Sequence, residues 1–271
     1  MRSRHGGKEF RFQVASLVVI SVLVHSAYAL LIRPRADAWM KEAARVRAEQ
    51  PMADLPSPLV VLLRDYEQEA CFILCFWAIA IMGYKAQRLR SDIGLLDRTF
   101  VNLDEGKRVL PVDARDLSRQ LQALPEDQRR ALLPRALLAA LHRFESTHSV
   151  QDVSDTVGAL CAAEGERQES ELGMIRYIAW AIPSIGFIGT VRGIGMALNK
   201  AQAAVEGDIG PVTENLGTAF NSTLIALCLS ILLMFTVHQL QLQQERHVLD
   251  VEDYAEEHLI RRLHVVREEL S

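Results

Sequence analysis

Thr190 and Thr223 each interrupt a stripe of small residues inside a long apolar run. The first stripe is Pro183, Gly186, Thr190, Gly193 and Ala197; the second is Ala219, Thr223, Ala226 and Ser230. Steps of three or four residues put each set on one helix face. Gly189 adds a GxxxG with Gly193. A hydroxyl both donates and accepts, so in an apolar passage it can hold a water or a proton-carrying carboxylate. The same stripes also suit close packing of membrane helices, where small residues let backbones approach. A membrane Thr often bonds only the carbonyl four residues earlier. Spacing alone leaves pore wall and packing face both open. Neither run contains Asp or Glu, and a complete proton relay needs a titratable group.

Arg192 is the odd charge in the first run. It lies ~200° round the helix from Thr190, off the threonine stripe. Either its long side chain reaches for the outer surface, or it meets an acid on a partner or neighbouring subunit. Asn221 and Ser222 are the other candidates for partner or intersubunit contact. His25 in span one and His238 near the end of span four each stand alone, and no relay role is expected. Cys71, Cys75, Cys161 and Cys228 have neither CxxC spacing nor a nearby His, so they read as small buried hydrophobes and no metal site is expected. Gly193-x-Gly195 lacks the preceding strand and third glycine of a dinucleotide loop. No P-loop, HExxH or Gly-x-Ser-x-Gly occurs, so neither enzymatic activity nor a cofactor is expected.

The elements that must carry these residues are membrane helices. Of 271 residues, 49% are hydrophobic, and they fall in blocks rather than in periodic patterns. The net charge of −4 and the absence of a basic arm argue against nucleic acid. The pattern predicts an all-α, multi-pass protein with four transmembrane helices. The expected segments are a cytoplasmic N-terminus (1–11), span one (12–32), a periplasmic amphipathic segment (33–69) and span two (70–84). A cytoplasmic helical domain (85–174), span three (175–198), a periplasmic loop (199–215), span four (216–240) and a cytoplasmic C-terminal helix (241–271) follow. Arg2, Arg4, Lys8 and Arg11 precede span one, and Lys85, Arg88 and Arg90 follow span two. Both clusters put the same side inside, with both termini cytoplasmic. Ala27-Tyr28-Ala29 resembles a signal-peptidase site. The apolar run continues through Leu30, Leu31 and Ile32, which favours an uncleaved anchor. Span two is short for a crossing, so it must begin inside the preceding segment or sit in thinned bilayer. Leu132, Leu133, Leu137, Leu138 and Leu141 recur as on the buried face of a bundle helix.

Over about residues 175–245 the chain resembles the MotA/TolQ/ExbB proton channel family. Pro183-x-x-Gly186-x-x-Gly189-Thr190-Val191-x-Gly193-Ile194 is similar to that family's first channel motif. Ala219-Phe220-Asn221-Ser222-Thr223-x-Ile225-Ala226-Leu227 is similar to its second. Ala226 stands where members often carry Gly, and Leu227 to Val237 lacks a proline that many have. The resemblance implies a homo-oligomer, usually a pentamer, around a dimer of single-span MotB/TolR/ExbD-like partners. The partner supplies an Asp, and the ring supplies threonines matching Thr190 and Thr223. It implies a bacterial inner-membrane motor complex, in contact with lipid, that turns proton-motive force into mechanical work. The driven process could be transport, envelope maintenance, motility or anti-phage defence. Sodium could serve as the ion, but family frequency favours protons. A non-conducting scaffold of the same fold is the alternative.

Overall fold

The computed structural model describes residues 3–50, 58–98, 100 and 108–264. Among these the chain is all-α, with one isolated bridge between Val109 and Leu263. Helix α1 (Ser3–Ala27) runs through a π-helical stretch, Tyr28–Ile32, into α2 (Arg33–Glu49). Then come α3 (Leu59–Leu62), α4 (Tyr66–Ile93), α5 (Pro111–Gln122), α6 (Glu126–Arg129) and α7 (Leu132–Thr147). Last are α8 (Val150–Leu198), α9 (Ala201–Val205), α10 (Gly210–His258) and a 3-10 turn at Ile260–Arg262. Four helical stretches are long and apolar enough to cross a membrane: Glu9–Val46, α4, α8 and α10.

Several expected boundaries shift, each for a local reason. The first part of the expected amphipathic segment, helix α2, is continuous with the first span. Pro34 has no N–H for the carbonyl of Leu30, and the helix widens into its π turn there rather than breaking. Span two is not short. Its helix begins at Tyr66 and runs 28 residues, because Glu67 and Glu69 suit a helix's first turn. The last two spans are parts of helices of 49 residues each. Glu, Arg, Ala and Leu are all good helix formers, so the change from apolar to charged does not end the helix. The loop expected at 199–215 holds α9, and α10 already starts at Gly210. Residues 1–2, 51–57, 99, 101–107 and 265–271 of the expected segments lie outside the described residues.

The chain divides into two compact units. One holds residues 1–83 and 174–237; the other holds 84–173 and 238–271. The second unit has a true apolar core. Leu133, Leu137, Leu141 and Phe144 of α7 pack with Leu121 of α5, Val153 and Val157 of α8, and Val251 and Leu259 of α10. The leucine spacing is therefore a bundle face, with Leu138 partly buried at its margin. Arg262 and His264 close this unit through backbone bonds to Val109. Lys85, buried, is held by Glu171 at 2.8 Å.

The first unit is built differently. Phe187, Ile188 and Val191 of α8 point outward, as do Phe220, Leu224 and Ile231 of α10. Along the stretch where the glycines of α8 face α10 what is buried is small, Ala197, Ala219, Ser222 and Ala226, while Ile81, Ile175, Ile178, Ile182 and Leu233 are buried elsewhere in the unit. Bulk turned outward along a close backbone approach is the membrane pattern. Helix α4 joins this unit through Trp77, whose indole donates to Gln13 O at 2.9 Å. Cys71, Cys75 and Cys161 are buried as expected; Cys228 is exposed on the outward face of α10.

Candidate ion-pathway site

Helices α8 and α10 meet antiparallel along the two stripes. Gly186 lies against Ala226, Gly189 against Ser222, and Gly193 against Ala219. A Cβ added at Gly193 would sit 2.6 Å from that of Ala219; at Gly189, 2.8 Å from that of Ser222; at Gly186 it would overlap Ala226. No side chain fits in those gaps, so glycine is required for the approach. Ala197 closes the same face, and Pro183 lies on it half-buried.

Pro183 has a further consequence. Lacking an N–H, it leaves the carbonyl of Ala179 without its helical donor. Ser230 of α10 donates its hydroxyl to that oxygen at 2.9 Å. In an apolar medium an unsatisfied carbonyl is costly, and a small polar residue on the facing helix removes the cost.

The threonines stand at the edge of this seam. The hydroxyls of Thr190 and Thr223 hydrogen-bond to each other across it. Thr223 also lies 3.0 Å from Gly186 O, and Thr190 3.1 Å from Ala219 O; with one proton each, the two hydroxyls make two of these three bonds at a time. Both are only half-buried, so one flank of each stays open while the other is packed. The pair can thus exchange an internal hydrogen bond for one to an ion, a water or a carboxylate brought to the open flank.

Arg192 is not left to reach for the surface. Its guanidinium donates to Glu67 Oε2 at 2.8 Å and lies 3.9 Å from Asp65 Oδ1. The acids that meet it come from its own chain, Glu67 in the first turn of α4 and Asp65 just before it; Asn221 lies half-buried on α10. Ser222 is 2% exposed inside the seam and donates to Thr218 O. Nor does His25 stand alone: it hydrogen-bonds Glu69 at 2.7 Å, and Arg33 grips the other carboxylate oxygen. His238 remains exposed. Burial pushes the Asp65 carboxyl above its ordinary range, against the pull of Arg64 and Arg192. The sequence reading passed over these acids. Their signal was the run Asp65, Glu67, Glu69 set immediately before an apolar span, where charge is expensive unless paired.

Residues 128–253 match the MotA/TolQ/ExbB proton channel family. Over these residues, a little under half of the chain, the sequence is similar to that family. No curated protein and no solved structure matches the chain. The MotA/TolQ/ExbB match takes in both threonines, the whole glycine seam and all of α7. It leaves out α1, α2 and α4, and so the acids that hold Arg192 and the Arg33–Glu69 pair. No group of His, Cys, Asp and Glu among the described residues could hold a metal ion.

Proposed function

We propose that the chain is a proton-channel subunit of an energy-transducing complex in a bacterial inner membrane, with both termini in the cytoplasm. Several copies, a pentamer in the family's usual form, would surround a dimer of single-span partners. Each partner presents an Asp to the open flank of the threonine pair. Proton transfer on that Asp then drives the ring against the partner, and the partner's outer domain determines what is moved. The observation that carries this reading is the Thr190–Thr223 contact between two spans that contain no Asp or Glu of their own. A relay without its own titratable group needs one from elsewhere.

The test is proton flux in vesicles holding this chain with its partner. Flux that needs the partner's Asp and falls in Thr190→Val and Thr223→Val supports the reading. Intact flux in both variants rejects it. One observation favours a second reading, a non-conducting scaffold. Both hydroxyls already have partners within the chain, so they could serve packing alone. In that case no partner, and no condition of pH, would produce flux.

A further inference from the structure

Glu67 touches α8 at two points. Its carboxylate holds Arg192 at 2.8 Å, and its Cγ lies 3.4 Å from where a Cβ on Gly189 would be. The same Cβ position lies 2.8 Å from that of Ser222 of α10. Glu67 is therefore a wedge set at the level of the threonine pair, one residue before Thr190 and two after it. Its side chain is 11% exposed and that of Asp65, the second carboxylate beside Arg192, is 13%. Arg192 is 43% exposed, so the pair is buried on its acidic side.

The seam holds α8 from one side, through the glycine contacts and the hydrogen bonds of Thr190, Thr223 and Ser230. An ion pair on the far side of α8 adds a restraint that the seam does not supply. Arg192 projects ~200° from Thr190, close to the opposite side of the helix. A pull on Arg192 toward α4 thus keeps Thr190 turned toward α10.

We propose that Glu67 is a positioning residue for the threonine pair. Through Arg192 and Gly189 it fixes the rotation of α8 that presents Thr190 to Thr223. It touches neither hydroxyl. Its functional weight rests on reading Thr190 and Thr223 as the ion pathway, but its structural claim does not.

The experiment separates the two. Thr190→Cys with Thr223→Cys is oxidised in native membranes, and the 190–223 disulfide is quantified by mass spectrometry. Disulfide geometry is narrow, so its yield reports small rotations. Ala179→Cys with Ser230→Cys gives a reference cross-link farther along the same seam, where Ser230 already meets Ala179 O. Glu67→Ala and Arg192→Ala are expected to lower the 190–223 yield several-fold and to leave the 179–230 yield unchanged. Combining them adds nothing further, and Arg192→Lys keeps most of the yield. The proposal is overturned if Glu67→Ala leaves the 190–223 yield intact, or lowers both yields in step, which is loss of packing and not of rotation. Flux is then measured in the same Glu67 and Arg192 variants without the cysteines. A lowered 190–223 yield together with intact flux in Thr190→Val upholds the positioning role and rejects the ion-pathway reading.

Discussion

The hydroxyl of Thr190 meets the hydroxyl of Thr223 across the α8–α10 seam, and each also lies within hydrogen-bond distance of a backbone carbonyl: Ala219 O for Thr190, Gly186 O for Thr223. Valine keeps the shape of threonine and removes the hydroxyl. Thr190→Val and Thr223→Val should each cost about 1 kcal/mol of stability, the net worth of a hydrogen bond. Their effect on flux should be larger, a fall of about tenfold or more, corresponding to about 1.4 kcal/mol on the limiting barrier. Thr→Ser at either position keeps the hydroxyl and should keep most of the flux. Thermal unfolding in detergent and vesicle proton uptake measure the two effects separately.

Gly186 and Ala226 occupy one gap from opposite sides. Gly186→Ala forces a methyl onto that of Ala226, so it should destabilise the chain by about 1–3 kcal/mol, the usual range for overpacking. Gly186→Ala with Ala226→Gly moves the methyl across the seam and should recover most of that loss. A double-mutant cycle on unfolding in detergent gives the coupling. Additive effects would mean the two residues do not share the gap.

The spans and the stripes were legible because both are written in local spacing. Charge-free length marks a crossing, and steps of three and four mark a face. Pro183 announced an orphaned carbonyl at Ala179, four residues back; nothing local announced that Ser230 would take it. Arg192 was legible as an anomaly, but its partner Glu67 lies 125 residues away, and pairing at that separation is decided by the tertiary fold. The acids of residues 65–69 read as an unremarkable lead-in. Only packing shows that they point to different neighbours, Glu67 to α8 and Glu69 to α1 and α2. The continuity of α8 and α10 past the ends of their spans was hidden for another reason. A hydropathy boundary is visible in composition, while helix propensity does not change across it.

Asp65 carries a pH dependence whose sign is set by burial. Its carboxyl is pushed up, so the folded state holds this proton more tightly than the unfolded chain does. Stability from this site is full below the ordinary carboxylate pKa and falls as pH rises through the raised one. Asp65→Asn resembles the protonated form at every pH. The variant and the parent should melt together near pH 4 in detergent. Above that the variant should become progressively the more stable. A gap that is equal at pH 4 and pH 8 would show that the Asp65 charge costs nothing in the fold.

Pro183 and Ser230 form a lock whose two halves make sense only together. Proline removes the donor that would have served Ala179 O, and the Ser230 hydroxyl supplies another. Ser230→Ala should therefore leave a carbonyl unsatisfied in an apolar setting and cost about 1–3 kcal/mol. Pro183→Ala restores the backbone N–H, and the helix can then close its own bond to Ala179. In that background Ser230→Ala should cost much less, because the hydroxyl is no longer needed. The comparison is again a double-mutant cycle, read by thermal unfolding in detergent. An undiminished cost of Ser230→Ala in the Pro183→Ala chain would mean that the serine acts through some contact other than the orphaned carbonyl. A diminished cost would identify the proline as the reason a polar residue sits at that point of the α8–α10 seam.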